Sequence, residues 1–589
     1  MSKVLVPKDQ IAGLEFKNAT WVPSAENDHD EAIFIKEIIH TKSGEMIPNI
    51  RMIENFERNF YVTKDSKRKH KQKKSWEHVD NLREYRCTQR VMPEAIVKAL
   101  GYGRPSGVKR LNRNPYLYGT DILSTTIIKH QYLQRWGEYK SNYKVAHLDI
   151  ERDVTYGTEE IQMISVTMGP KVFQVVTKGY IDIDHGDFLK QVHECFDKEV
   201  VPLLAELDNA RDKKGKGKYW DKSIQHKFEL DVRIVENEAD AVVATFAWLH
   251  EQKPDILSIW NLPYDLDKMC IALRRAGIRY EDVFCDPGVP GKYRYFKFQE
   301  GSARILDANG DGDNKEPQDR WHRVKCPSHF FWADQMCVRR AVRKHLPKEG
   351  GYSLGAVLGR VFGIGKLKGD KGARANGIDW HKHMQRFEKV FYCVYNMFDN
   401  IGAQLLDEHT LDLCSTFPAQ CGVTDLENYG SQGKKLYDDQ YFKLLQNDQH
   451  VICGISDEMA DEMDKLLVTL DGWISTLSPH MIARKMGNRV IDEYREQLTK
   501  IILWVLDIDV KSSYPSTGVW MNLEQQTILR QMCKILGVPL ELTRRVGLNL
   551  PAGKVNAVDI MVSVCNVPTQ TRMLQKFCKA KNIELDYKD

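Results

Sequence analysis

The sequence predicts a multidomain chain of α/β and α+β class, on three observations. At 589 residues it exceeds what one hydrophobic core usually serves. Between 145 and 269, apolar runs of strand length alternate with segments of helical periodicity, the pattern of an α/β domain. Hydrophobic residues make up 42% of the chain and charged residues 28%, which excludes a fibrous or disordered class.

Taken in order, residues 1–145 mix short strand-like runs ("EAIFIKEIIH", "MIPNIRMI") with a basic run at 67–74, "KRKHKQKK". That run reads as a solvated face or mobile loop or, with Phe60, Tyr61 and Trp76 nearby, as a track for single-stranded nucleic acid. "VAHLDIERDVTYGTEEIQMISVTM" (145–168) reads as two strands about a turn at Gly157. "NEADAVVATFAWLHEQ" (237–252) reads as a helix behind an Asn cap. "DILSIWNLPYDLDKM" (255–269) reads as a buried strand ending in a Pro-containing turn that opens a helix. Residues 292–333 read as a long hairpin with a polar tip. There Asp307, Asn309, Asp311 and Asp313 imitate a calcium loop, but the twelfth position is Gln318 rather than a bidentate Glu. Helices are expected over about 383–412 and a polar segment over about 415–500. A strand at 502–510 and two final helices complete the reading.

Net charge is +4, from 85 Lys+Arg against 81 Asp+Glu, too small to argue for a polyanion partner without local distribution. The 13 cysteines include no CxxC pair, so reduced thiols in a cytoplasmic compartment are expected. The N-terminus "MSKVLVPKDQ" lacks an apolar signal core, and no run approaches 18 apolar residues, so no membrane association is expected. "GYGRPSG" (101–107) and "GIGKLKG" (363–369) are mis-spaced for a dinucleotide loop.

The chemistry is carried by carboxylates. In Asp149-Ile150-Glu151, residues i and i+2 on a strand reach the same face, and two close carboxylates repel unless a cation sits between them. Two further Asp-x-Glu triplets, Asp197/Glu199 and Asp425/Glu427, read as solvated surface. Asn261-Leu262-Pro263-Tyr264-Asp265 leaves the end of a strand, where catalytic groups of open α/β sheets collect, although an Asp there could equally be an N-cap. Tyr395-Asn396-Met397-Phe398-Asp399 sets Tyr395 and Asp399 on one helix face.

The order and spacing of these three elements resemble the exonuclease motifs of family B DNA polymerases. "GYSLGAVLGRVFGIGKLKGD" (351–370) and "NEADAVVATFAWLHEQKPDILSIWN" (237–261) are similar to segments of the replicative polymerases of T-even-type bacteriophages. The resemblance implies an RNase H-like 3′–5′ exonuclease domain at 146–414 and an N-terminal polymerase-B domain at 1–145, with a return segment and linker at 415–483. It implies that Asp149, Glu151, Asp265 and Asp399 hold two Mg²⁺ or Mn²⁺ ions for in-line displacement at phosphorus, a preference that oxygen-only ligation also suggests. Tyr395 would orient the attacking water, and Asn261 and Tyr264 would line the pocket for the primer's terminal nucleotide. Turn and packing roles remain the alternative for those two. The family position of the 292–325 hairpin implies a part in separating primer from template.

"DVKSSYPS" (509–516) resembles polymerase motif A, with Ser513 in place of the usual Leu. Asp509 would ligate both palm metals, Val510 would offer its carbonyl to the nucleotide-bound metal, and Ser512 and Tyr514 would contact the incoming nucleotide. Tyr514 would also exclude a 2′-hydroxyl. This implies a partial palm at 484–525 and the start of an incomplete fingers region at 526–589. The family's Tyr-x-Asp-Thr-Asp and Lys-x3-Asn-Ser-x-Tyr-Gly motifs are absent from the sequence, and its linker motif is reduced to Leu470-Asp471-Gly472-Trp473. The expectation is therefore one subunit of a split DNA polymerase. Its partners would be primer-template DNA, dNTP, a second polypeptide carrying the missing motifs, and a sliding clamp as a further candidate. A truncated fragment of a longer chain would read the same. The competing readings are a free-standing 3′–5′ exonuclease with a vestigial palm and a non-catalytic DNA-binding scaffold, the latter having no need of mutually repelling carboxylates.

Overall fold

The computed structural model describes residues 6–452, apart from 72, 75, 221–223, 307–311, 345, 368 and 370–376. Asp509, Val510, Ser512, Tyr514, the 470–473 linker and the regions 484–525 and 526–589 lie outside the described residues, as does most of the 307–313 loop. What is described is mixed α/β, with several sheets and helices.

The chain opens with an antiparallel meander of β1 (Ile11–Pro23), β2 (Glu31–Thr41) and β3 (Met46–Glu54). Strand β2 is buried along nearly its whole length because both of its faces are covered. Ile33 and Ile35 meet Ile128 and Tyr132 of helix α1 (Ser124–Trp136), while Ala32 and Phe34 join the core of the next domain. A second small sheet holds β4 (Arg58–Thr63) between β5 (Leu82–Cys87) and β6 (Leu117–Tyr118). The basic run after β4 is tied back to this sheet. Arg68 donates to the Thr63 carbonyl at 2.9 Å and lies over the Tyr116 ring, and Lys73 reaches the Leu117 carbonyl at 3.2 Å.

A six-stranded sheet dominates the rest. Its strands are β7 (Val145–Arg152), β8 (Ile161–Met168), β9 (Lys171–Thr177), β10 (Glu229–Val235), β11 (Ile256–Ile259) and β12 (Phe331–Asp334). Their spatial order is β10-β9-β8-β7-β11-β12. The β7–β8 and β8–β9 pairs are antiparallel, whereas β10 joins β9, β11 joins β7 and β12 joins β11 in parallel. Period-two alternation sends Ile164, Val166, Phe173 and Val175 to one core and Met163, Val172 and Val176 to the other.

The first face is covered by α3 (Glu238–Gln252) and α4 (Leu262–Arg275), packed through Phe246, Leu249, Leu266 and Met269. Asn237 caps α3 by accepting from the Ala239 and Asp240 amides at 3.0 Å each, and Lys253 ends it at φ +53°. Between β7 and β8 the chain reverses through Gly157 at φ +74°, while Asp153 accepts from the Thr155 and Thr158 amides.

The opposite face is covered by α2 (His185–Glu199), α6 (Leu354–Phe362) and α8 (Lys389–Thr410), with α5 (Gln335–Val342) and α7 (Ile378–Phe387) beside them. Helix α8 is buried from Phe391 to Asp407. Its Gly402 allows the close crossing of α6, since a Cβ there would stand 2.8 Å from Leu358 Cδ1.

Three expectations need correction. The hairpin is shorter than 292–333, for Phe331–Asp334 belongs to the central sheet. It comprises two separate ladders, Lys297–Gln299 with Arg323–Lys325 and Arg304–Leu306 with Gly312–Asn314. Second, Asp425 and Glu427 are not solvated. Asp425 accepts from the Thr125 and Thr126 hydroxyls at 2.6 and 3.1 Å, and burial pushes the Glu427 carboxyl up to about 7. Third, the segment after 415 is not merely polar: helix α9 (Gln432–Asp448) and a strand at His450–Ile452, paired with Trp76–His78, pack against the N-terminal region. Among the described residues no helix is long and apolar enough to cross a membrane.

Candidate active site

Asp149 and Glu151 project from β7 around the buried Ile150, opposite Ser165 and Met163 of β8. The register shifts between Glu151 and Arg152, an irregularity in the ladder just past the pair. Asp399 comes from α8, and its carboxylate joins theirs: Asp149, Glu151 and Asp399 each offer an oxygen within 4.8 Å of the others. Asp265, in the first turn of α4, stands outside that trio but lines the same open cleft of about 1180 Å³. Asn261, Tyr264 and Tyr395 line it as well, so the described site residues expected from sequence meet in one place.

The packing that gathers them is polar and buried. Asn396 donates to Asp149 at 2.8 Å, its own carbonyl accepts from the Ser165 hydroxyl at 3.0 Å, and Gln174 donates to its side-chain oxygen at 3.1 Å. One turn later Asn400 donates to the Ser165 carbonyl at 2.8 Å. These bonds fix the register of α8 on β8 and β9 and so place Asp399 over Asp149. Asp334, at the end of β12, accepts from the Leu262 and Cys337 amides at 3.1 and 3.0 Å, joining the starts of α4 and α5. Neither the capping of α4 nor that of α5 falls to Asp265.

Electrostatically the site crowds together more carboxyls than can ionise without a compensating cation. Burial and then the Asp399 carboxylate push Asp149 up to about 7. Burial and then Asp149 push Glu151 up to about 8. Asp265 is raised well above the usual carboxylate range by burial, then by Asp149 and Glu151. Oxygen Oδ1 of Asp399 is buried without a hydrogen-bond partner. A buried carboxylate oxygen with no donor, beside two carboxyls held from ionising, fits a divalent cation. An all-oxygen donor set suits Mg²⁺ or Mn²⁺ rather than zinc.

Lys366, to which the sequence analysis assigns no role, also reaches into this cluster. Its ammonium stands 2.5 Å from Asp399 Oδ2 and 3.0 Å from the Tyr395 hydroxyl. Burial alone would lower it, but Asp399, Tyr395 and Asp149 hold it well above the ordinary lysine value. The stem crosses α6 at Gly355, where a Cβ would come within 3.3 Å of Lys366 Cγ. Its signals in the sequence are its place in the stretch 351–370 and in the glycine-rich run 363–369, neither of which assigns the lysine a role.

Beside the cleft, the Tyr264 ring lies under Arg152 and Lys268, at 5.5 and 5.7 Å. The hairpin base supplies Phe298, Glu300, Gln318 and Arg320 to one wall. A second buried group, His322, Asp334 and Cys337, could in principle hold a metal ion. Its atoms are already engaged, however: Asp334 caps two helices, the Cys337 thiol donates to the Pro317 carbonyl and His322 Nδ1 accepts from the Gly301 amide.

No family model matches the chain, and the search of curated proteins returned no match. Fold and site therefore define a mixed α/β protein with a carboxylate-lined cleft, and function rests on that cleft and on the motifs.

Proposed function

We propose that the chain is a metal-dependent 3′–5′ exonuclease acting on DNA, and the motif-A-bearing subunit of a split family B DNA polymerase. The observation that carries the first part is the convergence of Asp149 and Glu151 from β7 with Asp399 from α8 within 4.8 Å, with one Asp399 oxygen unpartnered. The strand order supports an RNase H-like domain: an antiparallel meander of β7, β8 and β9, then β11 and β12 added in parallel beside β7.

In this reading Asp149, Glu151, Asp265 and Asp399 hold Mg²⁺ or Mn²⁺. Bound divalent ions supply activation of water and stabilisation of the departing 3′ oxygen. The protein's own residues do the rest. Tyr395 orients the attacking water through its hydroxyl, which Lys366 fixes at 3.0 Å. Lys366 also offsets the carboxylate charge. Asn261 and the exposed Tyr264 hold the terminal nucleotide, and Arg152 and Lys268, both paired with Glu159, flank that ring. Nucleotidyl transfer would use Asp509 and Tyr514 with a partner polypeptide and dNTP.

The test is incubation of the purified chain with a 5′-labelled single strand. Shortening that requires Mg²⁺ or Mn²⁺, stops with EDTA and disappears in Asp149→Ala/Glu151→Ala supports the proposal. Full activity in the double variant would sink it.

A further inference from the structure

The hydroxyl of Tyr392 donates to Glu151 Oε2 from within the α8–sheet core, where the tyrosine is wholly buried. A phenol has one proton; with Glu151 ionised, as cation binding requires, that proton is committed to the carboxylate, so the Tyr392 oxygen must accept whatever else approaches it. Two groups do: His381 Nδ1 at 2.8 Å and Gln385 Nε2 at 3.4 Å, both from α7. His381 therefore carries its proton on Nδ1. Burial and then the Lys366 charge push its imidazole down to about 4, which keeps it neutral with Nε2 as the acceptor.

The rings leave little freedom. Tyr392 and Tyr395 stack at 5.5 Å with 9° between planes, and His381 stands edge-on to both. Gln385 meanwhile grips the chain just past Glu151, donating to the Arg152 carbonyl at 2.6 Å and accepting from the Val154 amide at 3.0 Å.

We propose that Tyr392 and His381 are positioning residues: a hydrogen-bonded relay from α7 through α8 that fixes the Glu151 carboxylate in its cation-binding orientation. None of this was legible as a motif, for His381 and Tyr392 lie outside the quoted exonuclease elements. The proposal rests on the reading of Glu151 as a metal ligand. Metal-site partners of this kind typically contribute 10–100-fold in affinity or activity.

The experiment titrates Mn²⁺ into the full chain and follows free Mn²⁺ by electron paramagnetic resonance, without DNA. The proteins compared are wild type, Tyr392→Phe, His381→Ala, His381→Asn and Asp149→Ala, each checked by thermal melting. Tyr392→Phe keeps the ring and loses one donor, and should weaken Mn²⁺ binding about 10-fold. His381→Ala should weaken it less, and His381→Asn, whose amide can donate to the same oxygen, should restore it. In the exonuclease assay kcat should fall in Tyr392→Phe with KM for single-stranded DNA unchanged. Wild-type Mn²⁺ affinity in Tyr392→Phe would overturn the relay, and equal defects in His381→Asn and His381→Ala would overturn the part assigned to His381. Unchanged binding in Asp149→Ala would instead overturn the metal site itself.

Discussion

Neutralising residues 149 and 151 should stabilise the metal-free protein above neutral pH. Asp149 is moved from 3.8 to about 7 and Glu151 from 4.5 to about 8, in both cases first by burial and then by a neighbouring carboxylate. Because the folded values lie above the unfolded ones, their favourable contribution is complete below about pH 4 and is lost as pH rises through 7 and 8. A displacement of this size corresponds to about 4 kcal/mol for one fully desolvated carboxyl. Both groups open onto the cleft and titrate against each other, so the combined loss between pH 5 and pH 9 should be on the order of 2–4 kcal/mol. Asp149→Asn/Glu151→Gln should escape that loss while leaving other buried acids, such as Asp334 and Asp407, unchanged. The difference between the two proteins thus isolates the pair. Urea unfolding in EDTA at pH 5, 7 and 9, followed by tryptophan fluorescence, measures it. Mg²⁺ at a hundred times its dissociation constant should return about 2.7 kcal/mol to wild type and nothing to the variant. Parallel pH profiles for the two proteins would refute the reasoning.

Two other outcomes follow from the structure and the sequence. Lys36 sits buried 3.6 Å from Asp255 and 3.3 Å from His329, linking β2 to the start of β11, so Lys36→Ala should cost about 3–5 kcal/mol in denaturant unfolding. A loss within experimental scatter would mean the linkage is idle. On the proposed split-polymerase reading, the 589 residues alone should extend no primer at any Mg²⁺ concentration, because the sequence holds no Tyr-x-Asp-Thr-Asp motif. Extension should appear with a second polypeptide that supplies it and vanish again with Asp509→Ala.

What the sequence revealed follows from the range over which each feature is determined. The β7–β8 pair, the Asn237 cap and the β11–α4 junction were legible because local alternation, a capping side chain and a Pro-containing turn decide them. Asp149 and Glu151 were legible for the same reason, since strand geometry alone puts i and i+2 on one face. Lys366 was not, because its approach to Asp399 depends on how α6 crosses α8 at Gly402. Asp425 was misread because its hydroxyl donors, Thr125 and Thr126, lie some 300 residues earlier in the chain. The relay through Tyr392 was invisible for a similar reason, its acceptor being 241 residues away.

The most direct measurement compares a linear single strand bearing a free 3′ hydroxyl with a circular single strand of the same sequence, both with Mg²⁺. An exonuclease that holds the terminal nucleotide at Asn261 and Tyr264 should shorten the linear strand stepwise from its 3′ end and leave the circle intact. Cleavage of the circle, or equal inertness towards both strands in the presence of Mg²⁺ and Mn²⁺, would contradict the account.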